Sequence, residues 1–189
     1  MALLRSAAGI VVVGLCLRGT NAVVQPLCAS QSAAVSEDDV KAAFLYNFAK
    51  YVAWPPAAAS QSFRLCVVAD AGFIKRIDNL IAGETIEGRP VMRETPATGE
   101  AARACQILFV GASENARASR LIVSVKGTPV LTVGDTDDFL TRGGMIAFVR
   151  DGDRVRFDVN NAAAQGAGLS VSSRLLRLAR HVGVQEPGP

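Results

Sequence analysis

Few side chains in this 189-residue chain have types and spacings that could do chemistry. Its single histidine, His181, would have to serve any Ser-His-Asp or Cys-His relay. It closes a helical pattern just before Val182-Gly183, where an imidazole simply suits the helix dipole. No G-x-S-x-G turn precedes a helix, so a nucleophile elbow is absent from the sequence. The acidic group Asp135, Asp137 and Asp138 follows a strand-like run, and open α/β sheets bind ligands at such ends. Three carboxylates there could take a divalent cation, or could cap the orphan amides of a helical turn. Gly166-x-Gly168 falls inside a helical pattern, which is the wrong setting for a dinucleotide loop. Gly143-Gly144 reads as a tight entry into the next strand. Arg174, Arg177 and His181 recur at i, i+3 and i+7. That basic stripe could hold the carboxylate or phosphate of a small anionic ligand, or an acidic partner, or could be a solvated face. No enzyme, cofactor or metal is expected from this set.

The compartment decides how the cysteines are read. Residues 1–30 contain no Asp or Glu, and Arg5 and Arg18 are their only basic residues. A basic start, an apolar run from Ala7 to Leu17 and small residues ending at Ser30 have the layout of a secretory signal peptide. The run is too short to span a bilayer, which takes about 20 residues as a helix. Neither Cys16 nor Cys28 follows the small residue that precedes a lipidated cysteine. The expectation is cleavage near Gln31 and a soluble exported product. Two of the 20 basic residues lie in the leader, leaving 18 against 17 acidic ones. A net charge near +1 does not support nucleic-acid binding. Cys66 and Cys105 remain, and an even pair in an oxidising compartment is read first as a disulfide. The alternative is two buried thiols that never meet.

Those cysteines sit in strand-like runs over 63–70 and 105–111. Neighbouring strands lie about 4.8 Å apart, compatible with the Cα separation of roughly 4.4–6.8 Å that a disulfide needs. Residues 31–36 read as a flexible tether, followed by a helix from Glu37 with Ser36 as N-cap. Val40, Phe44, Leu45, Phe48 and Val52 make its apolar stripe, and Trp54-Pro55-Pro56 stops it. The pattern then predicts a helix ending at Gly83, an extended piece over Arg89–Glu94 and a helix over Ser113–Val125 capped by Ser113. A strand over Pro129–Val133 and a helical turn over Thr136–Leu140 come next. MIAFVR (145–150) and DRVRFDVN (153–160) flank Asp151-Gly152 as a hairpin. A final helix is predicted over roughly 161–182, burying Val171, Leu175, Leu178, Ala179 and Val182. The small residues Gln165-Gly166-Ala167-Gly168 within it suit either close backbone contact or a break between two helices. Residues 183–189 read as a disordered tail. The fold class expected is one α/β domain over 37–182: a three-layer sandwich with a mostly parallel central sheet and an antiparallel edge hairpin.

Several of these blocks carry a resemblance. KAAFLYNFAKYVAWP (41–55), CVVAD (66–70), CQILFVG (105–111), VLTVGDTDDFLTRGGMIAF (130–148) and RFDVNNAAAQGAGLSVSSRLLRLA (156–179) closely resemble the YfiR-like family of bacterial periplasmic proteins. The resemblance covers about residues 37–182. It implies an α/β sandwich, usually dimeric, that binds the periplasmic domain of a membrane-bound diguanylate cyclase. By doing so it restrains cyclic-di-GMP synthesis and biofilm formation under redox control. Cys66 and Cys105 match one disulfide pair of the family's type member. The second pair has no counterpart, because residues 135–154 contain no cysteine.

Overall fold

The computed structural model describes residues 35–58 and 60–183. The expected leader, most of the tether and the tail beyond Gly183 lie outside the described residues.

Helix α1 (Glu37–Tyr51) starts where a capping box can form: the Ser36 hydroxyl accepts from the Asp39 N–H, and the Asp39 carboxylate accepts from the Ser36 N–H. The chain leaves it directly into the short strand β1 (Val52–Ala53). Strand β2 (Phe63–Val68) leads to Asp70, whose side chain caps α2 (Ala71–Ile81). A small antiparallel pair follows, β3 (Thr85–Ile86) and β4 (Arg89–Glu94). The one-turn helix α3 (Gly99–Ala102) then feeds β5 (Ile107–Val110). Next is α4 (Asn115–Val125), entered through a 3-10 turn over Ala112–Glu114. Ser113 therefore lies inside that turn rather than capping the helix, and no side-chain cap is present at either start. After β6 (Leu131–Gly134), the chain turns through 135–144 into the hairpin of β7 (Ile146–Asp151) and β8 (Arg154–Val159). Asp151 pairs with Arg154, so the two-residue loop is Gly152-Asp153, one position later than the Asp-Gly step implied. Gly152 supplies the positive φ of +58° that this loop needs.

The main sheet has seven strands in the order β3-β4-β2-β5-β6-β7-β8, parallel from β4 through β7 and antiparallel at both ends. Its inner strands are buried on both faces, so they read as continuous apolar runs. Leu65, Val67, Ile107, Phe109, Phe148 and Phe157 face α1 and α2, while Cys66, Val68, Leu108, Val110 and Ala147 face α3 and α4. Helices on both faces make the expected three-layer sandwich.

The last segment departs from expectation. The predicted helix over 161–182 is two short helices, α5 (Asn161–Gly166) and α6 (Ser173–Leu178), separated by strand β9 (Ser170–Val171). Gly168 takes φ +77° after α5, its N–H donating to Gln165 and that of Leu169 to Ala164. That is a Schellman stop, with Leu169 buried beyond it. Strand β9 then pairs antiparallel with β1, Val52 opposite Val171 and Ala53 opposite Ser170. Of the predicted buried stripe only Leu175 is buried, and Leu178 and Val182 are about half exposed, at 53% and 52%.

Candidate functional site

Cys66 and Cys105 form a disulfide, with Cα atoms 5.8 Å apart. Cys66 lies within β2 and Cys105 two residues ahead of β5. Because Leu65 pairs with Ile107, the two cysteines meet on a diagonal across adjacent parallel strands. Both are buried in the cluster beneath α3 and α4. At a sequence separation of 39, the bridge ties β2 to β5 across everything between them.

The basic stripe does not form as one helical edge. Helix α6 ends at Leu178, leaving Arg174 and Arg177 on it and His181 beyond it. Arg174 lies over the Tyr51 ring at 5.5 Å, Arg177 points to solvent, and the imidazole of His181 is exposed. The helix stops because the sheet recruits the following residues. Arg180 N–H donates to Phe157 O at 2.8 Å, Val159 N–H donates to His181 O at 2.9 Å, and Gly183 N–H donates to Val159 O at 2.8 Å.

Sequence reasoning missed the arginine that matters most here, Arg180. Its guanidinium forks onto Asp158, with Nε–Oδ1 at 3.0 Å and Nη2–Oδ2 at 2.6 Å. The backbone N–H of His181 adds a third donor to Oδ1 at 3.1 Å. Asp158 is buried, and this three-donor arrangement is what lets a carboxylate sit there. The hydrogen bond to Asp158 raises the Arg180 pKa above its ordinary value, against the opposing effect of burial. The pair lines a cavity of about 240 Å³ together with Asp137, Leu140, Thr141 and Val149.

The acidic group is divided among separate partners. Asp135 Oδ2 accepts from Lys41 Nζ at 3.1 Å, and Asp138 pairs with Arg142. Among the described residues no group of three acidic, histidine or cysteine side chains is placed to hold a metal ion. Lys41, which the sequence reading passed over, also meets Glu37 at 2.8 Å. Burial alone would depress the Lys41 ammonium, but the Glu37 and Asp135 carboxylates raise it above its usual value. The Lys41 hydrogen bond likewise holds Glu37 below the usual carboxylate range, with Arg150 contributing.

In this strand order the direction of winding reverses between β2 and β5, the point where doubly wound sheets open a ligand crevice. There Gly111 lies close against Ala69. A Cβ on Gly111 would meet the Ala69 Cβ at 3.1 Å, and the Asp70 side chain already occupies the Phe73 N–H of α2. Cavities lie at other places on the domain. About 330 Å³ is lined by Ile122, Val125, Met145, Ala163, Gly166 and Ala167, so the small residues of α5 border a cleft rather than touch another backbone. About 400 Å³ lies between α1 and the β7–β8 hairpin. None of these three cavities is lined by Arg174, Arg177 or His181. Among the described residues, no helix is long and apolar enough to cross a membrane.

A sequence profile of YfiR/HmsC-like proteins matches residues 38–180. A conserved domain protein from Vibrio cholerae O1 biovar El Tor superposes with a TM-score of 0.55 at 12% identity, covering 78% of this chain and 60% of that one. The ABC domain from Streptococcus pneumonia, in complex with L-Trp, gives a TM-score of 0.48 at 12% identity, covering 69% of this chain and 57% of that one. The chain thus spans about 60% of the length of these structures. At such identity the Vibrio structure supports the α/β fold alone.

Proposed function

Because the chain belongs to the YfiR/HmsC-like family, we propose that it is an exported, non-enzymatic regulator. In this reading it binds the periplasmic domain of a membrane-bound diguanylate cyclase and lowers cyclic-di-GMP synthesis. The observation that carries the reading is the family match over 38–180, which takes in almost every described residue. The geometry is compatible with it. Clefts lined by charged and apolar side chains lie on the outside of the domain. Such a protein acts by population shift: binding one conformation of the receptor more tightly than the other holds the cyclase in that state. About 5.5 kcal/mol of differential affinity carries a receptor from one part in a hundred to ninety-nine. A homodimer is part of the proposal, since the family resemblance implies one.

Redox control would act through the Cys66–Cys105 bridge alone. Both sulfurs are buried, so a reductant reaches them only when the α3/α4 face opens. The reading therefore treats the bridge as a staple first and a sensor second.

The test is direct. Membranes containing the candidate cyclase are assayed for cyclic-di-GMP synthesis with and without the mature protein, and cellular cyclic-di-GMP is compared with and without the gene. A lowered level with the protein present, together with co-purification of the cyclase, supports the reading. Unchanged levels and no co-purifying receptor overturn it.

A further inference from the structure

Strand β8 ends the sheet, and only its second half is covered. Phe157 and Val159 turn their outward backbone groups to the 180–183 segment. With a two-residue period, Val155 points its N–H and C=O the same way, away from β7. Among the described residues no backbone group outside β7 meets Val155. The bridge from Val159 to Val182 is parallel, so the chain passing Arg180 to Gly183 runs away from Val155 rather than over it.

The side chains around this open stretch are charged and apolar by turns. Val155 packs toward α1 and borders the cleft of about 400 Å³ with Val35, Val40 and Phe44, while Glu37, Arg150 and Asp153 put charge at the same cleft. Val35 is 74% exposed at its rim. Arg154 and Arg156 flank Val155 and line the same cleft, and among the described residues neither has an acidic partner within ion-pair distance. The Nε of Arg156 is buried with no hydrogen-bond acceptor. That is a costly group to leave unsatisfied. Arg150, by contrast, is already held by Glu37.

We propose that the open edge at Arg154–Arg156 takes an extended segment of a partner protein by strand addition. Apolar side chains of that segment enter the cleft against α1, and the alternating acidic ones meet Arg154 and Arg156. The main chain of the segment supplies the hydrogen bonds that Val155 lacks, and its carboxylates supply the acceptor that Arg156 lacks. A second copy of this chain fits poorly: antiparallel pairing centred on Val155 would set Arg154 of one copy opposite Arg156 of the other, and like charges directly opposite destabilise a ladder. This inference rests on the reading of the chain as a protein that acts by contact, and it specifies the surface and the chemistry of what docks there.

The probes are three fluorescein-labelled peptides of seven residues, titrated against the full mature chain by anisotropy. One alternates Val and Glu, one alternates Val and Lys, and one has the Val and Glu residues in two blocks. The expected result is saturable binding of the alternating Val-Glu peptide, with the other two weaker by about tenfold or more. Arg154→Glu with Arg156→Glu, the first exposed and the second half-buried at the edge, should reverse the preference toward the Val-Lys peptide. The Val155 amide should exchange more slowly when the Val-Glu peptide is bound. Equal binding of all three peptides, no binding at millimolar peptide, an unchanged preference in the double variant, or an unchanged Val155 amide each overturns the proposal. So does concentration-dependent dimerisation that protects the Val155 amide without peptide. The two readings fail separately. Lowered cyclic-di-GMP without peptide binding removes this surface and leaves the regulator. Peptide binding without any effect on cyclic-di-GMP removes the cyclase and leaves the surface.

Discussion

The two faces of the sheet are held by different means. Four of the five fully buried phenylalanines, Phe48, Phe63, Phe109 and Phe157, lie on the α1/α2 face. Phe48 sits 5.0 Å from Phe157 and 5.8 Å from Phe148, ring centroid to centroid, and Phe44 closes the group 5.4 Å from Phe157. On the opposite face α3 is a single turn, and the only phenylalanine in that cluster is Phe139. Gly134 and Gly144 make room for its ring, since a Cβ at either position would overlap it. That face carries the disulfide, and the Asp158–Arg180 fork lies beside Ala147 at its margin. Where large rings can interdigitate, packing suffices. Where short helices bring few of them, a covalent tie and a charge-assisted fork hold the layers.

The comparison breaks most visibly at Phe48. Phe48→Ala should cost about 3–5 kcal/mol in urea unfolding, the range for emptying a large aromatic from a core. A loss below about 1 kcal/mol would mean that the ring cluster does not carry its face. The Cys66→Ala/Cys105→Ala double variant should cost about 2–4 kcal/mol. Its hydrogen exchange should quicken in α3, α4 and β5 well before α1, and uniform quickening would remove the distinction between the faces. Arg180→Ala should cost about 1–3 kcal/mol, because it leaves a buried carboxylate short of two donors. Fraying of residues 180–183 away from β8 should accompany it in amide exchange. The smallest effect is electrostatic and lies on the α1 face. Glu37 and Asp39 are both held below the usual carboxylate range, Glu37 first by the Lys41 hydrogen bond and Asp39 first by the Ser36 hydroxyl. Their contribution is therefore complete above the unfolded carboxylate range and is lost as pH falls through the lowered folded values. Glu37→Gln should lower stability slightly at neutral pH, leave it unchanged at pH below the lowered folded value, and so flatten part of that acid-side decline, as pH-dependent thermal melts would show.

How far the sequence could be read depends on the range of the signal. Ser36, Asp39 and the Trp54-Pro55-Pro56 stop act within a few residues, and α1 lies where they imply, ending at Tyr51 with β1 in place of its last turn. The hairpin register was legible to one residue for the same reason. The C-terminal break was half legible. Gly168 followed by Leu169 is a Schellman signature, yet the helical spacing on either side outweighs it in the pattern. The end of α6 carried no local mark at all, because Ala179 stops the helix only by turning extended so that β8 can pair with residues 180–183. Asp158 alternates in sequence with the apolar Phe157 and Val159, the pattern of an outward strand residue, and Arg180 falls within the helix expected over 161–182. Only their meeting across 22 positions makes them a pair.

The sequence by itself determined the α/β class, the mostly parallel sheet with its edge hairpin, the first helix and the family pattern. It also reduced the chemistry to one histidine, two cysteines and a few charge clusters. Those properties reside in local propensity, period and composition. The tertiary structure alone decided that Arg174, Arg177 and His181 part, that Lys41 joins Glu37 to Asp135, and that half of β8 stays open, and it brings together the Cys66–Cys105 pair that the sequence already pointed to. Each of these depends on which strand lies beside which. That order is set by packing layers of helix onto both faces of one sheet, a global condition that no short window of residues encodes.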